Sequence, residues 1–416
     1  MIHYMIKAGV RIFMCGMLFF LTDISFAQNN TSSPYSIFGI GEIETRDFGR
    51  TAGMGNVGIG LKSTNFLNQR NPAGLSGIDT LTFILDVAGS VKFSKFITTS
   101  EEEKTSNFNF KNLAAGFRIS KMWTTGVGLS PFSSVGYDIS GDQYVEGAPG
   151  SYKMYFSGSG GINKFYWANS LELFKGLSIG ATASFLFGTI THNETTSAMN
   201  IRNTYAANKI YFDFGLQYSH LIGQYTYVTV GGVYGYKTDI KLSPQVYITD
   251  SYGNVLKDQV TGDNKSYIPQ SFGAGFSISR NKRDYQWLLA VDYKRQQWSV
   301  DKTYRSGIKY TDSDIYSFGL QLIPNTKRAE NYFQVIRYQI GGMINNSYMQ
   351  INGHQLQDYS FSVGLGLPFR NRTYINVALN MGQAATGYTG GIKENYTLLS
   401  VNLSLIELWF AKQKYE

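Results

Sequence analysis

Apolar and polar residues alternate along most of this chain. Near its end Leu399, Val401, Leu403 and Leu405 alternate with Ser400, Asn402 and Ser404. Before that, Thr373, Ile375, Val377, Leu379 and Met381 alternate with Tyr374, Asn376, Ala378 and Asn380. Tyr359, Phe361, Val363, Leu365 and Leu367 do the same against Ser360, Ser362, Gly364 and Gly366. The pattern recurs in Trp287-Leu289-Val291-Tyr293, Ile210-Phe212-Phe214-Leu216-Tyr218 and Leu177-Ile179-Ala181-Ala183-Phe185-Phe187. A period of two puts one set on each face of a strand, whereas a helix needs apolar residues at i, i+3 and i+4. Such segments number about fourteen, near residues 80–97, 107–120, 122–137, 160–173, 177–192, 206–219, 223–238, 266–279, 284–298, 313–323, 332–347, 355–368, 371–383 and 394–409. An even count is what a single-chain bacterial barrel requires.

The connections sort by length. Those after even-numbered strands are short: Lys121, Lys175-Gly176, Leu221-Ile222, Asn281 to Arg283 and Phe369-Arg370, with the stretch from Pro324 to Asn331 as the exception. Those after odd-numbered strands are long: 138–159, 193–205, 239–265, 299–312 and 384–393. Outer-membrane barrels have short periplasmic turns and long external loops, so this pattern predicts both termini in the periplasm.

Composition narrows the class. There are 45 Gly, 30 Tyr and 28 Phe, and charged residues make up 16% against the usual ~25%. Mean hydropathy is −0.18. Past residue 27 no apolar run approaches the ~18 residues of a spanning helix, which excludes a helical membrane protein. A soluble β-sandwich would carry more charge on its outer faces. Here the polar faces carry Ser, Thr, Asn, Gly and Gln, which suits a water-bearing or ligand-bearing lumen. Trp287, Tyr293, Trp298, Trp409 and Phe410 fall toward strand ends, where rings favour the interface of lipid and water.

Residues 1–27 read as a signal peptide. Lys7 and Arg11 form a positive start, Ile12 to Thr22 an apolar stretch, and Ser25-Phe26-Ala27 a cleavage site. Cleavage removes Cys15, the single cysteine, so the mature chain has no disulfide to hold it. Net charge falls by one from +8, and no Lys/Arg block points to nucleic acid.

Residues 28–79 do not alternate and are rich in glycine (Gly39, Gly41, Gly49, Gly53, Gly55, Gly58, Gly60). They are expected to fold into the lumen as a hatch, because small residues let backbone pack closely. Arg50-Thr51-Ala52-Gly53-Met54-Gly55-Asn56-Val57-Gly58, followed by Asn71-Pro72-Ala73-Gly74-Leu75, resembles the N-terminal hatch of the FadL-type outer-membrane transporters of long-chain fatty acids and other hydrophobic compounds. Gly53, Gly55, Asn71, Pro72, Ala73 and Gly74 carry that likeness. Gly273-Ala274-Gly275-Phe276 with Trp287, Asp292 and Trp298 looks like the family's middle hairpin. The start Ser33-Pro34-Tyr35-Ser36-Ile37-Phe38-Gly39-Ile40-Gly41 departs from it and marks a divergent branch. The resemblance implies an all-β, fourteen-stranded barrel in the bacterial outer membrane, domains of 28–79 and 80–410, and passive uptake of hydrophobic molecules captured at external loops. It also implies lateral release through a gap at the third strand, where Gly126, Gly128 and Pro131 lie. Proline donates no ladder hydrogen bond, so Pro131 alone predicts a break in pairing. Phe38, Phe48, Phe66 and Leu67 are candidates for the apolar wall of a binding pocket, and Arg50 or Arg70 for a carboxylate.

Other chemistry is sparse. His192, His220 and His354 stand apart, so neither a metal site nor a cofactor is expected. There is no GxSxG elbow and no GK[ST] phosphate loop, and an enzyme is not expected. Glu101-Glu102-Glu103-Lys104 reads as a solvated loop, and residues 411–416 as a periplasmic tail. Expected partners are outer-membrane lipid, a hydrophobic ligand and the barrel-assembly machinery during insertion. The competing reading is a non-transporting accessory subunit of an outer-membrane secretion or assembly complex, with a stable protein partner.

Overall fold

The computed structural model describes residues 31–46, 48–144, 151–261, 264–282, 284–300, 307–325, 331–369 and 373–409. The expected signal peptide (1–27) and tail (411–416) lie outside these. Among the described residues no helix is long and apolar enough to cross a membrane.

One antiparallel sheet closes into a barrel of fourteen strands. They are β1 (Thr82–Ile97), β2 (Glu102–Arg118), β3 (Trp123–Tyr144), β4 (Ser151–Phe174), β5 (Leu177–Thr195) and β6 (Met199–Ile222). Then β7 runs in two pieces (Thr226–Gly235, Thr238–Asp250) and β8 in three (Val255–Val260, Asn264–Ile268, Ser271–Lys282). The rest are β9 (Tyr285–Gln296), β10 (Ile308–Tyr310, Ser313–Ile323), β11 (Arg337–Ile351), β12 (His354–Phe369), β13 (Thr373–Ala385) and β14 (Lys393–Leu408). The seam pairs β14 with β1 from Leu408↔Thr82 to Lys393↔Ile97.

Alternation maps onto the wall. On β6, Ile210, Phe212, Phe214, Leu216 and Tyr218 are exposed, while Tyr211, Gly215 and Gln217 between them are buried in the lumen. Apolar side chains that face outward all round the barrel need lipid. Trp298 is a correction: it is buried and stacks on Tyr348 with centroids 4.4 Å apart, away from any lipid interface.

The stretches expected as long loops are largely strand. β3 reaches Tyr144, β4 starts at Ser151, and most of 239–265 is ladder. Glu102 to Lys104 likewise belong to β2. Beyond the lipid band both faces meet water, so Asp138, Ser140, Asp142, Asp239 and Lys241 extend the strands without any apolar period to reveal them.

Among the described residues the wall breaks between β2 and β3. β2 and β3 share only six residue pairs, from Arg118↔Thr124 to Leu113↔Leu129. Past Leu129 the β3 ladder with β4 shifts register between Pro131 and Ser133. There β3 pairs instead with a two-residue strand from inside the barrel, Ile43↔Ser133 and Glu42↔Ser134.

That inner strand belongs to the hatch. From Thr31 the chain winds through the lumen in 3-10 turns at Pro34–Ile37, Ala52–Met54 and Pro72–Gly77. The apolar core is therefore inside the barrel. Tyr35 and Ile40 pack with Val135, Ile162, Leu186 and Tyr348 toward the long-hairpin end. Met54, Val57, Leu61 and Phe66 pack with Leu288 and Ala290 toward the short-turn end.

Candidate functional site

The lumen lies out of reach of lipid, and the hatch decides its shape. Gly53 lies against Gly364 of β12, where a Cβ would stand 2.6 Å from the Gly364 Cα. Gly55 adopts φ 62°, the left-handed region that glycine enters without penalty. Asn71 caps its turn by accepting from the Ala73 N–H at 3.0 Å, and its Nδ2 donates to the Ile59 carbonyl at 2.8 Å. Gly74 is buried where a Cβ would meet the Leu61 carbonyl oxygen at 2.7 Å. Pro72 and Ala73 are buried too. The hatch motif thus names positions where backbone passes close to backbone or turns sharply.

Charged groups fix the hatch to the wall. Asp292 of β9 accepts from the N–H groups of Gly58 (2.5 Å), Ile59 (2.8 Å) and Gly60 (3.4 Å). Asp86 of β1 accepts from the Leu67 N–H at 3.1 Å. Arg46 pairs with Asp358 and donates to Tyr396, whose hydroxyl donates to Asp358 at 2.5 Å. Burial opposes the Arg46 charge, but Asp358 and Tyr396 outweigh it and raise its pKa. Lys111 pairs with Glu44. Lys92 sits between Glu394 (2.7 Å) and Glu42 (3.7 Å), and Thr31 donates to Glu42 at 2.9 Å. Burial would raise the Glu42 carboxyl, yet Lys92, the Thr31 hydroxyl, Lys111 and Arg46 hold it below its ordinary value.

Two cavities remain beside these groups. One, of about 190 Å³, is lined by Thr45, Phe48, Leu67, Arg70, Pro131, Lys164, Tyr166, Tyr211, Asp213 and Lys294 among others. The other, of about 120 Å³, is lined by Glu42, Glu44, Arg46, Lys92, Asp358, Glu394 and Tyr396 among others. Drug-sized ligands occupy pockets of roughly 300–1,000 Å³, and a cavity of about 150 Å³ takes benzene. The first cavity therefore has room for one ring, not for a long acyl chain.

Of the candidate binding residues, Phe48, Leu67 and Arg70 meet at the larger cavity, where the Arg70 guanidinium also donates to the Thr45 carbonyl at 2.6 Å. Phe38 packs on the apolar cluster at the long-hairpin end. Arg50 and Phe66 lie together elsewhere: the guanidinium stacks 5.1 Å over the Phe66 ring and donates to Asn65 at 2.8 Å and Gln321 at 3.0 Å. Burial and then the like charge of Arg337 lower the Arg50 pKa. The lumen therefore does not bring the six into one pocket. Gly126 and Gly128 stay within the β2–β3 ladder, paired with Gly116 and Ala114, and the break begins two residues later beside Pro131. His192 contacts the Tyr137 hydroxyl at 2.6 Å, and no group of three His, Cys, Asp or Glu among the described residues could hold a metal.

Sequence reasoning missed Asp86, Asp292, Asp358 and Glu394, the wall carboxylates. Their position in the alternation places them inside the barrel but does not name their partners. Each falls on the inward face of its strand, and a buried charge persists only when paired or hydrogen-bonded.

The BamG family profile matches residues 5–416. The chain belongs to the BamG family. No curated protein matches it. Solved structures share this BamG-family fold at low identity. The Pseudomonas putida toluene transporter TodX aligns at 15% identity and a TM-score of 0.56, over 87% of this chain and 98% of its own. The Ralstonia pickettii toluene transporter TbuX aligns at 13% and 0.56, over 85% and 96%. A Pseudomonas aeruginosa FadL homologue aligns at 10% and 0.55, over 92% and 100%. The FadL-type architecture thus extends to this barrel at low sequence identity.

Proposed function

We propose that this protein serves outer-membrane barrel assembly as a closed accessory barrel that binds protein partners rather than passing solutes. The observation that carries the reading is its membership, over nearly the whole chain, of a family whose name belongs to barrel assembly. The filled lumen supports it, because the hatch leaves cavities of only about 190 and 120 Å³, the smaller walled by ion pairs. The long hairpins would face outward and both termini the periplasm, following the asymmetry of outer-membrane barrels. The test is gentle extraction of the tagged native protein, with mass spectrometry of everything retained. A stoichiometric partner from the assembly machinery is expected, and depletion of the protein should lower several unrelated outer-membrane barrels together. Bulk lipid plus an enriched hydrophobic compound, with no protein partner, would overturn the proposal.

A second reading is uptake of hydrophobic molecules with lateral release at the third strand. It draws on the toluene transporters that share the fold and on one local feature. The β2–β3 ladder ends beside Pro131, and Pro131 lines the larger cavity together with Phe48, Leu67 and Arg70. The cavity's size favours a single-ring compound over a fatty acid. On this reading Pro131→Val restores an N–H, tightens the wall and slows uptake of toluene-sized compounds to the rate of a deletion strain. Unchanged uptake across a panel of such compounds would remove it.

A further inference from the structure

The break between β2 and β3 leaves two strand edges, and the molecule treats them differently. The β3 edge is covered by the hatch. Ile43 and Glu42 pair with Ser133 and Ser134, and the Glu44 N–H donates to the Phe132 carbonyl at 3.0 Å. The Ser36 hydroxyl accepts from the Gly136 N–H at 3.0 Å and donates to the Gly136 carbonyl at 3.1 Å. The β2 edge from Glu102 to Phe108 has no such cover. Its ladder with β1 is intact, from Ile97↔Glu102 to Val91↔Phe108, but on its other side no backbone partner exists among the described residues. In an antiparallel strand every second residue turns its N–H and C=O to the same side, so several donors and acceptors face the opening.

The lower end of this edge, from Ser106 to Phe108, is at membrane depth. Phe108 points outward and is exposed, as is Phe93 on β1, whose register partner is Ser106. The charged residues Lys95, Glu102 and Lys104 come only above them. Lipid cannot hydrogen-bond a backbone, and an open strand edge in the hydrocarbon region is not tolerated. The edge also has the chemistry of a barrel strand, with Phe108 to the lipid side and Asn107 to the other.

We propose that the β2 edge between Glu102 and Phe108 is a strand-addition site that takes an edge strand of a partner barrel polypeptide. Main-chain hydrogen bonds would supply the affinity, as in other β-augmentation. This rests on the assembly reading and names how the partner is held.

The test uses the full-length protein in its native membrane. Ser106→p-benzoylphenylalanine is photoactivated in cells, with Ile210→p-benzoylphenylalanine on the intact wall as control. In parallel, hydrogen exchange of residues 102–108 is compared between the extracted complex and the purified chain in detergent. The inference expects a polypeptide adduct at Ser106 and none at Ile210. It also expects exchange about tenfold slower or more in the complex. A lipid adduct at Ser106, or equal exchange in the two samples, would overturn it. A stoichiometric partner with the edge still exchanging freely overturns the strand-addition site and leaves the assembly reading standing. The absence of any partner overturns both.

Discussion

At the scale of single residues, the most consequential positions are acids on the inward face of the wall. Asp292 satisfies the consecutive N–H groups of Gly58, Ile59 and Gly60, which the glycine-rich chain could not bond among themselves. Asp292→Ala strands them in the lumen at a cost of about 1–3 kcal/mol. Protease cleavage within residues 50–70 should then appear while the barrel still runs as a folded, heat-modifiable band. Resistance equal to wild type would show that the hatch does not lean on this carboxylate. Glu42 adds a pH dependence. Its carboxyl is held below the ordinary value of 4.5, so its contribution is complete above that pH and is lost as the pH falls below it. Protease access to the hatch should therefore be flat from about pH 8 to pH 5 and rise toward pH 3, and Glu42→Gln should remove the rise. The hatch glycines were legible in the sequence because tight backbone contact admits few alternatives. The wall acids were not, because one Asp in a strand such as Trp287-Leu288-Leu289-Ala290-Val291-Asp292 says nothing of what it will meet some 230 residues away in the chain.

At the scale of elements, the lipid-facing parts of the strands were legible and their extensions were not. Alternation is imposed by lipid on one side and lumen on the other, and it ends where the lipid ends. The hairpin of β7 and β8 illustrates this. Gly235 pairs with Ser271, so the ladder below that point is complete without the 35 residues between them. Replacing residues 236–270 by a short turn should leave a folded barrel in the membrane. The thermal midpoint should still drop, because Ile240, Leu242 and Ile268 pack on the hatch-side cluster. A variant that fails to insert would mean that the extension, and not the membrane ladder, organises these strands. Pro131 was legible as a disturbance. That the edge of its own strand just beyond it would be sealed from inside by Glu42–Ile43 was not, since a two-residue strand carries no period.

At the scale of the whole molecule, strand number, closure and the plugged lumen followed from pattern and glycine content. Which residues share a cavity did not follow, because that depends on how the hatch winds. Phe48, Leu67 and Arg70 meet, and Phe38, Arg50 and Phe66 do not. Deleting residues 31–79 should convert a barrel with little conductance in planar bilayers into a steady, wide pore, since a fourteen-strand wall leaves a broad interior once emptied. Little conductance in that variant would mean that the long hairpins close the barrel by themselves.

The seam between β1 and β14 bears on how the molecule is made. The fourteenth strand closes the cylinder, and it pairs along its whole length with the strand that directly follows the hatch. The residues that grip the hatch include ones from β9, β12 and β14, so its seat is not complete until those late strands are made. The plug precedes its wall in the chain and is seated only once the late strands are in place. A chain stopped short of Lys393 would carry its plug with neither a finished socket nor a closed wall, so truncation should yield no partly working product.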